Sequence, residues 1–259
     1  MKPLLLLCVW LGVAVSLQAQ VKTETVEYKQ GDVVLQGYLS YNPSLKGKQP
    51  GVLVIHDWMG VSDDTKMRAE QLAALGYVAL AADIYGKGVR PASPQEASAE
   101  AGKYRKDQQL LRARGRAGLD FLSSRADVDP NRLAAIGYCF GGGAALELAR
   151  SGAPLKGVVT FHGTLNTANP GDSKNIKGKV LVLHGADDPY VKQEEVKGFM
   201  DEMRSGGVDW QLVEYSGAVH AFTVKRAGND NSTGAAYNAS ADRRSWRAMA
   251  DFFEEIFPK

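Results

Sequence analysis

The chain has 259 residues, of which 44% are hydrophobic and 23% charged, and a formal net charge of +2. That apolar share is enough for a real core. A near-neutral chain with interspersed cations and acids argues against a nucleic-acid partner or an acidic membrane surface.

The first residues, MKPLLLLCVWLGVAVSLQAQ, combine Lys2, an apolar core from Leu4 to Leu17 and a small residue, Ala19, at a cleavage point. This predicts a secretory signal peptide over residues 1–19. About 14 apolar residues fall short of the roughly 20 that span a bilayer. The expectation is an exported protein, periplasmic or secreted, with no stable membrane anchor after cleavage. Cys8 leaves with the signal, so Cys139 becomes the only thiol of the mature chain. A lone cysteine forms no internal disulfide, and an idle thiol in an oxidising compartment is a liability.

From about Thr23 to Tyr41, polar and apolar residues alternate on both sides of Gln30-Gly31-Asp32, as in a β-hairpin. The rhythm then changes to short continuous apolar runs at 51–56, 77–83, 132–138, 157–162 and 179–185. Such runs suit strands buried on both faces of a parallel sheet. Helical segments lie between them; Ser93-Pro94-Gln95-Glu96 reads as a capping box with proline at the first helical position. The closing segment sets Trp246, Met249, Phe252, Phe253, Ile256 and Phe257 along one face. The expected fold is a single α/β domain over residues 20–259, a mostly parallel twisted sheet with antiparallel strands at its start and helices on both faces.

Ligands of such sheets bind beyond the carboxyl ends of the strands, and there this sequence gathers its reactive groups. His56-Asp57, Asp83, Cys139, His162, and His184 with Asp187-Asp188 each close a predicted strand, and His220 follows the strand at 209–215. Gly137-Tyr138-Cys139-Phe140-Gly141 lies between a strand and a helix, the context of a nucleophile elbow. Small residues must flank the turn because strand and helix nearly touch. The helix N-terminus behind Cys139 favours a negative charge. A dinucleotide loop fails on spacing, because no G-x-G-x-x-G occurs in this stretch.

In the architecture built on this elbow the acid and then the histidine follow the nucleophile along the chain. Asp188, in HGADDPYV, is the preferred acid, with Asp187 as a turn cap; His220, in GAVHAF, is the base. Cys139 would attack an acyl carbon, His220 would take its proton and pass it to the leaving alkoxide, and Asp188 would hold the imidazole tautomer. The oxyanion donors expected are the backbone N–H groups of Phe140 and Trp58.

Together, VIHDWMGV, ALAADIYG, IGYCFGGG, LHGADDPYV and GAVHAF resemble the dienelactone hydrolase family over nearly all of the mature chain. The resemblance implies an α/β-hydrolase fold and a Cys-Asp-His triad. It also implies hydrolysis of lactones and other activated small-molecule esters, with no metal or organic cofactor. Two positions depart from the family's pattern. Asp57 stands where its best-known members carry a glutamate that interacts with the thiol, which makes Asp57 a candidate thiol modulator, with turn capping as the alternative. Val224 stands where they carry an arginine for the substrate carboxylate, followed here by Lys225 and Arg226.

Three other readings compete. His56, Asp57, His162 and His184 could form a metal site, although no pair has helical ligand spacing. The chain could be a non-catalytic relative that binds a ligand in the same cleft. On the same triad it could be an exported broad-range carboxylesterase or a polysaccharide deacetylase. Asn231-Ser232-Thr233 and Asn238-Ala239-Ser240 match glycosylation acceptors.

Overall fold

The computed structural model describes residues 20–258; the expected signal peptide lies outside the described residues. The hairpin is β1 (Lys22–Gln30) and β2 (Val33–Tyr41), paired antiparallel around Gly31 at φ 56°. Then follow β3 (Gln49–Ile55), α1 (Asp63–Ala74), β4 (Val78–Ala82), α2 (Pro94–Lys106), α3 (Gln108–Ser123), β5 (Val128–Tyr138) and α4 (Phe140–Arg150). β6 (Gly157–Phe161), β7 (Lys179–Gly185), α5 (Gln193–Gly206), β8 (Trp210–Tyr215) and α6 (Ala239–Ile256) complete the chain.

The eight strands form one sheet in the order β1-β2-β4-β3-β5-β6-β7-β8, parallel from β4 to β8. From β3 the chain moves outward to β4, then returns to place β5 on the other side. The strand order therefore reverses between β3 and β5, where a crevice forms at the carboxyl ends.

The continuous apolar runs have a plain physical cause. Successive residues of a strand face opposite sides of the sheet. Leu53 and Ile55 join a core with Leu119 of α3, Leu146 of α4 and Phe199 of α5. Val52 and Val54 join a second core with Leu72 of α1 and Met249 and Phe253 of α6. Of the expected apolar face of α6, Met249, Phe252 and Phe253 are buried within the helix, and Phe257 just beyond it.

Two boundaries differ from expectation. β5 begins at Val128 rather than 132, because its pairing with β3 slips between Pro50 and Gly51 and the irregularity absorbs Pro130, Asn131 and Arg132. In the capping box, Ser93 Oγ accepts the Glu96 N–H, but the Glu96 carboxylate accepts from Ala92 rather than from Ser93.

Candidate active site

Cys139 occupies the turn between β5 and α4 at φ 54°, ψ −116°. An L-residue there carries strain on the order of 1–3 kcal/mol, so surrounding structure must hold it. Its N–H donates to Phe161 O (3.1 Å), and its carbonyl accepts from Gly142 N (3.0 Å). A Cβ on Gly137 would stand 1.9 Å from Gly141 O, and one on Gly141 2.2 Å from Ile55 O. The two glycines let β5, α4 and β3 touch backbone to backbone, and the thiol is left partly exposed.

His220 follows β8 and is fixed from both sides. Its N–H donates to Gly234 O (3.2 Å), its carbonyl accepts from Ala236 N (3.0 Å), and Ala221 takes φ 57° beside it. The ring places Nε2 3.1 Å from Cys139 Sγ and Nδ1 2.8 Å from Asp188 Oδ2. Asp188 lies in the turn after β7, where its Oδ1 accepts from Tyr190 N (2.8 Å) and Val191 N (3.3 Å). Asp187 instead accepts from Gly217 N (3.0 Å), a turn contact on the surface. Burial alone would lower the His220 imidazole. Electrostatic attraction to the Cys139 sulfur and the hydrogen bond to Asp188 outweigh that, and the imidazole is pushed up to about 10.

The two expected N–H donors come from opposite walls of the crevice. Phe140 is the first residue of α4, so its N–H has no acceptor within the helix. Trp58 belongs to the turn after β3, whose shape is set by Met59 N donating to Asp57 Oδ1 (2.8 Å) and Tyr85 Oη donating to Trp58 O (3.0 Å). Asp57 makes no hydrogen bond to Cys139: one oxygen caps this turn and the other pairs with Arg226, which also reaches Asp64. Beside Phe140 a cleft of about 440 Å³ opens, with Arg105, Gln108 and Thr164 in its walls.

Two of the remaining histidines are tied into local hydrogen bonds. His56 Nδ1 donates to Asp57 O (2.5 Å) and its Nε2 accepts from Ile84 N (3.2 Å). His162, fully buried at φ 41°, bonds Thr223 Oγ1 through Nε2 (2.7 Å) and packs edge-on to His220 with centroids 5.2 Å apart. Burial and the nearby His220 charge hold its imidazole well below the usual range. His184 is buried and lowered by desolvation. Among the described residues no group of three or more His, Cys, Asp or Glu could hold a metal ion, so the four residues weighed as a metal site are not assembled into one. Asn238 of the second glycosylation motif caps α6, accepting from Ser240 N and Ala241 N.

Sequence reasoning missed Thr223, Tyr190 and the pairing of Arg226 with Asp57. Arg226 carried a faint signal, as a cation two residues beyond Val224. Thr223 and Tyr190 carried none.

A strained residue between a central parallel strand and a helix, in a mixed sheet of eight strands with helices on both faces, is the arrangement of an α/β-hydrolase fold. The sequence profile of the dienelactone hydrolase family matches residues 35–257, and the chain belongs to that family, whose members are carboxylic ester hydrolases. A solved structure named m3DLH is 42% identical, with TM-score 0.88 over 92% of this chain and 99% of its own. A dienelactone hydrolase-like promiscuous phosphotriesterase, P91, from metagenomic libraries is also 42% identical, with TM-score 0.86 over 91% of this chain and 98% of its own. A Synechocystis protein provisionally named a carboxymethylenebutenolidase is 27% identical over 90% of this chain and 97% of its own.

Proposed function

We propose that this hydrolase cleaves activated carboxylic esters and lactones through a Cys139–His220–Asp188 triad and a thioester intermediate. The observation that carries the reading is the unbroken line Sγ···Nε2 and Nδ1···Oδ2, at 3.1 and 2.8 Å, ending on a strained, partly exposed sulfur. The raised imidazole makes His220 a ready acceptor for the Cys139 proton, which leaves the sulfur as the thiolate nucleophile. The thiolate attacks the acyl carbon while the N–H groups of Phe140 and Trp58 receive the negative oxygen. His220 then gives the Nε2 proton to the departing alkoxide, and the acyl group rests on sulfur. Water attacks the thioester, its proton returns to His220, and the acid leaves as the thiolate reforms. Asp188 keeps the ring oriented throughout, because its buried carboxylate favours the Nδ1–H form. Asp57 acts by holding the Trp58 turn rather than by touching sulfur, since both of its oxygens are engaged elsewhere.

The reading includes export. Residues 1–19 act as a cleaved signal, and the enzyme works outside the cytoplasm. Expression of the full chain with N-terminal sequencing of the exported fraction tests this; a mature protein still beginning at Met1 overturns it. For the chemistry, purified residues 20–259 are assayed on p-nitrophenyl acetate, a γ-lactone and, because P91 is described as a phosphotriesterase, a phosphotriester. Turnover of the ester or the lactone that iodoacetamide and Cys139→Ala both abolish is the expected result. Unchanged turnover by Cys139→Ala discards the mechanism.

A further inference from the structure

Tyr190 is the most exposed large hydrophobic side chain of the described residues, at 60%. It is nevertheless anchored at both ends. Its N–H is held by Asp188 Oδ1 (2.8 Å), and its Oη donates to Thr233 O (3.2 Å) in the segment that fixes His220. Pro189 and Tyr190 close over Gly234, whose absent Cβ would stand 2.9 Å from Pro189 and 3.1 Å from Tyr190 Oη. The carboxylate of Asp188 thus sets the Tyr190 backbone with one oxygen and the His220 ring with the other. The phenol ring stands at 88° to the imidazole, with centroids 5.4 Å apart.

His220 has two such aromatic neighbours, His162 and Tyr190. His162 is fully buried and Tyr190 is open to solvent. Of the two rings beside His220, only that of Tyr190 is therefore available to a molecule arriving from water. The part of the ester that lies nearest His220 is its alcohol, because Nε2 must reach the departing oxygen to protonate it. An aromatic face beside that oxygen offers stacking and edge contacts to another ring.

Resting on the triad reading above, we propose that Tyr190 is the contact surface for the alcohol portion of the ester and selects aryl over small alkyl alcohols. The acyl portion lies away from it, so the thioester formed from any acetate deacylates independently of Tyr190.

The test compares phenyl, 1-naphthyl, methyl and ethyl acetates on wild type, Tyr190→Ala and Tyr190→Phe. Every ester passes through one acetyl-enzyme, so any difference belongs to the alcohol. Expected for Tyr190→Ala is a fall in kcat/KM of roughly 3- to 10-fold on the two aryl acetates, the worth of one aromatic contact. The alkyl acetates stay within about twofold, and Tyr190→Phe, which keeps the ring and loses the Thr233 contact, retains the wild-type ratio of aryl to alkyl rates within that same scatter. Equal losses on all four esters overturn the proposal and assign Tyr190 to holding His220. Wild-type rates throughout overturn it as well. A failure of the triad reading is distinguishable, since Cys139→Ala, run alongside, would then still hydrolyse the acetates.

Discussion

Gly141→Ala is the substitution whose consequence is most directly set by distance. The new methyl would stand 2.2 Å from Ile55 O and 2.4 Å from His56 O, whereas ordinary contact begins at 3.4 Å, so backbone must retreat by about 1.2 Å. No side chain can swing away to relieve this, because both obstacles are main-chain carbonyls at the end of β3. Overpacking of this kind costs about 1–3 kcal/mol, and for a domain of this size each kcal/mol is about 2–4 °C. The melting temperature should therefore fall by roughly 2–12 °C. The activity loss should be larger in proportion. The methyl drives apart the two walls that carry the Phe140 and Trp58 N–H groups, and a misplacement of about 1 Å costs on the order of a hundredfold. Gly102→Ala on α2 is the control, with nothing within 4 Å of its new methyl. It should gain roughly 0.5–1 kcal/mol and keep full activity. Calorimetric melting and initial rates on p-nitrophenyl acetate give both readouts. A Gly141→Ala protein melting within about 1 °C of wild type with undiminished kcat/KM would refute the reasoning.

Other consequences follow from the same geometry. In an imidazole NMR titration His220 should lose its proton near pH 10, and Cys139→Ala should move that midpoint down by removing the sulfur. Because the folded value lies above the ordinary 6.5, the stability it contributes is complete below about pH 6.5 and disappears as pH rises through about 10. Denaturant unfolding across that window should show wild type losing more stability than Cys139→Ala, which keeps only the Asp188 contribution. Asp188→Asn should lower kcat on p-nitrophenyl acetate far more than Asp187→Asn, since only Asp188 holds the imidazole; the reverse order would move the acid by one residue. Arg150 is fully buried and donates to both oxygens of Glu202 at 2.8 and 2.7 Å. Glu202→Gln leaves that guanidinium with Glu147 as its one anionic partner, and urea unfolding should report a loss of about 1.5–3 kcal/mol, the worth of a hydrogen bond to a charged group.

Much of this architecture was legible because the sheet writes its period into the chain. Alternation around Gln30-Gly31-Asp32 marked the hairpin, and unbroken apolar runs such as Val52–Ile55 marked strands covered on both faces. The positions of Cys139, Asp188 and His220 at strand ends could be read too, since a parallel sheet brings all its carboxyl ends to one edge. What could not be read depends on contacts between segments far apart in sequence. The β5 boundary was set by a slip against β3 rather than by the polar residues Asp129 to Asn131. The engagement of Asp57 by Arg226 spans 169 residues, and no local pattern announces it.

The most direct test of the central claim is to catch the acyl group. Residues 20–259 are mixed with a p-nitrophenyl ester of a slowly hydrolysed acid, quenched in acid during turnover, digested and mapped by mass spectrometry. The account predicts the acyl mass on the peptide that carries Cys139, released by hydroxylamine as a thioester is. An acyl group on any other residue, or steady turnover by the Cys139→Ala protein with no adduct in wild type, would contradict it.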